Sequence, residues 1–130
     1  RVKKILLKTK GKKIAFLGVT FKANTDDMRE STSLSMILSL SKAGAKISYY
    51  DPSGEKKVLN KIKNVKFYKI VSLTCHKVDL IIIHTEWNEY KQLNFKKLVN
   101  KRNFKIFDMR NLYSPYKMAK VKIQYYSIGR

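Results

Sequence analysis

Val78–Thr85, "VDLIIIHT", holds four consecutive aliphatic residues, Leu80 to Ile83. Successive side chains of a strand point to opposite faces, so this run needs apolar cover on both sides. Such double cover is found where helices pack above and below a parallel sheet. The polar stretch that follows, "HTEWNE" (84–89), then lies at the carboxyl end of a central strand.

Outward from that strand the chain repeats one pattern. Upstream, "KKIAFLGV" (12–19) is an apolar run closed by Gly18, and "STSLSMILSLSKAGAK" (31–46) spaces Leu34, Ile37, Leu38, Met36 and Leu40 for a helix. Ser31 to Ser33 offer N-cap hydroxyls to that helix and Gly44 marks its end. "AKISYYDPSG" (45–54) is a strand running into an Asp-Pro turn. Residues 55–63 read as a lysine-rich helix, "NVKFY" (64–68) as a short strand and residues 70–77 as a short helix. Downstream, "LNFKKLVNKR" (93–102) reads as a helix and "FKIFDMRN" (104–111) as a strand. A turn around Pro115 and a last strand, "KIQYYSIG" (122–129), follow. This alternation predicts one α/β domain: an open, mostly parallel, Rossmann-like sheet with helices on both faces. Ligands of such sheets bind outside the carboxyl ends of the strands, where residues 19–31, 84–89 and 108–111 gather polar groups.

The length of 130 residues suits a single domain, and the hydrophobic content of 44% excludes a disordered chain. The formal charge of +20 raises the question of nucleic acid or another anionic partner. Against that partner, 24 of the 29 basic residues are lysine, and they run from Lys3 to Lys122 rather than in one stripe of sequence. Nucleic acid is therefore not the expected ligand and most of the charge reads as solvated surface, with a basic nucleic-acid-binding module kept as the alternative. The single cysteine, Cys75, excludes an internal disulfide and suits a reducing compartment. The first 13 residues lack the apolar core of a signal peptide, and no run approaches a membrane span, so a cytoplasmic protein is expected. A start at Arg1 without methionine suggests a piece of a longer protein.

The stretch "GVTFKANTDDMREST" (18–32) occupies the place of a phosphate-binding loop but carries Gly18 alone, without the G-x-G-x-x-G that lets backbone approach a pyrophosphate. Side chains offer a different grip. Lys22 supplies a point charge, Thr20 and Thr25 hydroxyls, and Arg29 a planar fork. The alternative is structural: Asp26, Asp27 and Glu30 favour the start of the next helix, with Arg29 paired to one of them. Arg110, in "DMRN", either meets an anion across the cleft or pairs with Asp108. Trp87 suits a core or an interface. Cys75 beside His76 lacks the orienting third group of a nucleophilic site, and the two histidines and one cysteine have no metal-ligand spacing.

Taken together, "LGVTFKANTDDMRESTS", "GAKISYYDP", "DLIIIHTEWNEYKQLNF", "IFDMRNLY" and "YYSIGR" resemble the C-terminal domain of the UDP-glucose/GDP-mannose dehydrogenase family, in the family's order and over nearly the whole chain. "NTDD" and "TEW" look most like the branch acting on UDP-glucose, with the UDP-N-acetylmannosamine and GDP-mannose branches as alternatives. The resemblance implies a domain that binds the UDP part of the substrate. It belongs to an enzyme that oxidises the sugar's C6 alcohol to a carboxylate in two steps, with two NAD and a covalent thiohemiacetal on cysteine. By match to the family's motifs, Phe21 and Lys22 would contact the nucleotide-sugar and Arg110 would bind substrate. Arg29 would reach NAD held mainly by an N-terminal domain. Residues 1–12 would be the linker from a central helical region through which the parent forms a homo-oligomer. The NAD-binding domain and the catalytic cysteine motif lie outside these 130 residues, so the chain alone is expected to be inactive.

Overall fold

The aliphatic run forms strand β4 (Leu80–Ile83), in which every residue is buried. The computed structural model describes residues 1–29 and 31–129; Glu30, one of the expected helix-start acids, and Arg130, the end of "YYSIGR", lie outside the described residues. Around β4 stand β1 (Lys13–Leu17), β2 (Lys46–Tyr50), β3 (Val65–Phe67), β5 (Lys105–Asp108) and β6 (Gln124–Ser127). The six strands lie in the order β3-β2-β1-β4-β5-β6, and every pairing is parallel. The chain therefore starts in the middle, winds out to one edge, then crosses back and winds to the other. Between β1 and β4 the direction of winding reverses, which opens a crevice at their carboxyl ends.

Alternation within the strands builds two cores. Leu80 and Ile82 join Ile14, Phe16, Ile47 and Tyr49 on one face, covered by α1 (Val2–Leu6), α2 (Ser33–Lys42) and α3 (Lys57–Asn60). Ile81 and Ile83 join Ala15, Leu17 and Ile106 on the other, covered by α4 (Val71–Cys75), α5 (Phe95–Val99) and α6 (Pro115–Lys120). The expected α/β sheet with helices on both faces is thus present, and it is parallel throughout.

Three differences from the sequence reading bear on the fold. The turn expected at Pro115 is helix α6, because Ser114 accepts a hydrogen bond from the Lys117 N–H and Pro115 occupies the first helical position. Residues 2–6 are helical too: Val2, Ile5 and Leu6 share one face and bury it, while Lys105 Nζ donates to the Ile5 carbonyl at 2.6 Å. The helix expected over 93–102 is shorter. Asn94 caps α5 by accepting the Lys97 N–H at 3.2 Å, and Asn100 ends it in the left-handed conformation. Asn94→Ala should cost about 1 kcal/mol, read as a shift in the urea midpoint at unchanged slope.

Candidate functional site

The turn after β1 is drawn tightly against the end of β4. Gly18 has φ +80°, donates its N–H to the Tyr50 carbonyl at 2.8 Å, and would place a Cβ 2.5 Å from Thr85 Cβ. Thr85 Oγ1 in turn donates to the Thr20 carbonyl at 2.7 Å. Only glycine combines that dihedral with that approach.

The buried Asp51, at the end of β2, accepts the N–H groups of Val19 (2.8 Å) and Thr20 (3.4 Å) on one carboxylate oxygen. Its other oxygen takes the backbone N–H and hydroxyl of Ser53, at 2.9 and 2.6 Å. In a dinucleotide-binding fold, backbone N–H groups after the first strand meet the pyrophosphate. Here two of them already serve a carboxylate, so the residues present do not form a dinucleotide cradle.

The three polar clusters meet at the crevice. Arg110 Nε donates to the His84 carbonyl at 2.9 Å, and its terminal nitrogen donates to the Phe21 carbonyl at 2.6 Å. The guanidinium thus bridges the end of β4 to the loop after β1. It does not pair with Asp108. That carboxylate takes the Arg110 and Tyr113 backbone N–H groups and the Tyr125 hydroxyl, which holds the loop after β5 in shape. Phe21, Ser31, Thr32, His84, Met109 and Arg110 line a cleft of about 210 Å³. Lys22 stands exposed beside Phe21, and its carbonyl accepts the Thr20 hydroxyl at 3.1 Å.

His84 is buried at the back of this cleft, with Nε2 2.9 Å from Thr32 Oγ1 and Nδ1 3.2 Å from Thr85 Oγ1. Burial and then the Arg110 charge push its pKa down to about 4, against a smaller opposing pull from Asp51. The imidazole is therefore neutral at pH 7. The Ser31 and Ser33 hydroxyls, expected to cap α2, instead donate to the Val19 carbonyl and so fasten the helix start to the loop.

Arg29 sits apart from the cleft lining. Its side chain is 87% exposed and paired with Asp27 (2.9 Å), whose carboxyl Arg29 holds down at about 2. Asp27 thus serves the loop itself, while no acidic residue lies in the first turn of α2. Cys75 is fully buried in the second core, where burial raises its thiol to about 12, so it is no nucleophile. Trp87 packs against that same core rather than into the cleft.

The structure therefore brings Phe21 and Arg110 together at the cleft, leaves Lys22 exposed next to Phe21 and outside the cleft lining, and leaves Arg29 exposed and paired with Asp27. The roles of Asp51, His84 and Thr85 were not read from sequence. Their only signal was position, at the carboxyl ends of apolar strands.

Comparison with known proteins gives consistent findings. Residues 15–115 match the model of the UDP-glucose/GDP-mannose dehydrogenase family, UDP binding domain. The UDP-glucose 6-dehydrogenase of Rhizobium meliloti is 38% identical over 122 residues, covering 93% of this chain and 28% of that protein. That of Rickettsia prowazekii is 35% identical, covering 92% of this chain and 28% of the relative. Among solved structures, a UDP-glucose dehydrogenase from Pyrobaculum islandicum superposes with TM-score 0.75 at 28% identity, over 95% of this chain and 27% of that one. An NDP-N-acetyl-D-galactosaminuronic acid dehydrogenase from Methanosarcina mazei superposes with TM-score 0.81 at 27% identity, over 95% and 26% of the two chains. The chain spans little more than a quarter of the length of these relatives.

Proposed function

Because this chain belongs to the UDP-glucose/GDP-mannose dehydrogenase family, as its UDP binding domain, we propose that it supplies the nucleotide-sugar site of an NAD-dependent UDP-glucose 6-dehydrogenase. The parent would act in the cytoplasm as a homo-oligomer and oxidise UDP-glucose to UDP-glucuronate. The observation that carries the reading is the bridge from Arg110 to the Phe21 and His84 carbonyls, which fixes a guanidinium at the mouth of the crevice.

A diphosphate entering there meets a preoriented planar cation, and the exposed Lys22, next to Phe21 on the same loop, offers a second positive charge. The Phe21 ring, partly exposed beside them, offers an apolar surface to the nucleotide-sugar. Both cations act through side chains, which fits a loop whose backbone donors are committed to Asp51. NAD supplies hydride acceptance when bound, and its main cradle lies outside these residues. Arg29, exposed on the same loop, is the group of this chain best placed to reach it, after exchanging Asp27 for the cofactor.

Calorimetry with UDP tests the proposal. Saturable binding is expected, weakened at least tenfold (about 1.4 kcal/mol) by Lys22→Ala or Arg110→Ala and unchanged by Arg29→Ala. UDP heats that are absent at millimolar concentration, or indifferent to Arg110, would count against it.

A further inference from the structure

Parallel topology sends all six strands into the sheet across one edge, and a set of the lysines that looked scattered in sequence gathers there. Lys12 and Lys13 enter β1, Lys46 enters β2, and Lys77, Lys105 and Lys122 stand at the starts of β4, β5 and β6. The acids go the other way. Of the eight acidic residues among those described, seven lie at or beyond the carboxyl end of a strand, from Asp26 after β1 to Asp108 closing β5. Asp79 is the exception, and its carboxylate is taken by the Lys13 N–H (2.8 Å) and the Lys101 ammonium.

Helix C-termini account for some of these lysines, such as Lys42 at the end of α2. They do not account for Lys13, Lys46 and Lys66, which stand on strands. Lys13 and Lys46 are direct partners in the β1–β2 register, and Lys66 is the partner of Ser48, two residues further along β2. All three project on the face where α4 is only five residues long, so the sheet edge beneath it stays open. The result is a groove of about 360 Å³ lined by the three lysines, with the Tyr68 and His76 rings in its walls and no carboxylate. A hydrogen bond of 2.8 Å from Ser48 Oγ to the Thr74 carbonyl holds α4 over it.

We propose that this amino-terminal edge is a docking surface for single-stranded nucleic acid, with a nucleotide seated in the groove and the phosphodiester chain laid across the strand starts. Strands about 4.8 Å apart carry the lysines over roughly 24 Å, far beyond what a single small anion covers. Lysine is a point charge without the fork that reads bases, which suits contact with phosphate irrespective of sequence. The exposed His76 ring supplies a face on which a base stacks, while the Lys66 ammonium lies 5.0 Å from the centre of the Tyr68 ring, which backs it in the groove wall. The edge is opposite the UDP crevice, so the two ligands do not compete.

Fluorescence anisotropy with a labelled oligo(dT) long enough to cross the edge tests this. The affinity should fall steeply with added salt, with a log–log slope of about −2 for three neutralised phosphates. It should be similar for oligo(dA) and unaffected by saturating UDP. The triple variant Lys13→Glu, Lys46→Glu, Lys66→Glu should bind at least tenfold more weakly. The charge-matched control Lys57→Glu, Lys91→Glu, Lys117→Glu, at the opposite end of the sheet and outside the groove lining, should lose no more than twofold. Circular dichroism checks folding, and the corresponding triple to Gln replaces the first if it melts. Equal losses in the two triples, displacement by UDP or no binding at low salt overturns the proposal. So does tighter binding to phosphatidylserine vesicles than to oligo(dT), which would assign the edge to a lipid surface.

Discussion

Gly18→Ala is expected to lower the unfolding free energy by about 3 kcal/mol and to weaken UDP binding with it. Two costs combine. A side chain at φ +80° adopts the left-handed conformation, at about 1–2 kcal/mol for a residue other than glycine. The added methyl also stands 2.5 Å from Thr85 Cβ, and forcing a methyl into packed surroundings costs about 1–3 kcal/mol. Thr85 cannot easily turn aside, since its hydroxyl holds the Thr20 carbonyl and its N–H reaches the Leu17 carbonyl at 3.4 Å. The strain therefore passes into the loop that carries Phe21 and Lys22. Gly54→Ala is the control: its φ is +101° but the space around it is open, so only the dihedral cost remains. Urea midpoints should separate the two variants clearly, and equal losses would mean that the contact with Thr85 does not matter.

The second large effect is acid sensitivity centred on His84. Burial and the Arg110 charge hold its pKa at about 4 in the folded chain, against an ordinary histidine value of 6.5. Between those values the unfolded chain binds the extra proton, so stability is intact above pH 6.5 and falls as the pH drops towards 4. The full loss from this one group is about 3 kcal/mol, with a slope of up to about 1.4 kcal/mol per pH unit. Protonation places a cation beside Arg110 in a buried pocket and removes an acceptor from either Thr32 or Thr85. The salt bridge of Asp27 is lost too, but in a lower window: its carboxyl, normally near 3.8, is held at about 2, so that contribution goes only below pH 4. Urea unfolding from pH 7 to pH 4.5 should show a steeper decline for the native chain than for His84→Gln. Parallel curves would remove His84 from the account.

The architecture was legible because its strongest signal was not ambiguous. Leu80 to Ile83 cannot be covered from one side, and the structure divides them between two cores as that pattern requires. Short amphipathic pieces were harder. Residues 2–6 have one apolar face but too few turns to display a period, and they are held as a helix by packing on Phe107 and its neighbours. Arg110 was found at the right end of the right strand, yet its partners, two backbone carbonyls, leave no trace in sequence. Asp51 was hidden for the same reason: an Asp-Pro pair reads as a turn, whereas the carboxylate reaches 32 residues back to the Val19 N–H. The lysines show the limit most plainly, since only the parallel topology brings Lys12, Lys13, Lys46, Lys77, Lys105 and Lys122, far apart in the chain, to one edge.

A crystal structure of the chain soaked or grown with UDP tests the central claim most directly. The diphosphate is expected in the crevice between β1 and β4, in hydrogen-bond contact with Arg110 and Lys22, with Phe21 against the nucleotide and the Gly18–Thr85 contact undisturbed. UDP bound instead in the lysine groove under α4, or held in the crevice without either cation touching a phosphate, would contradict it.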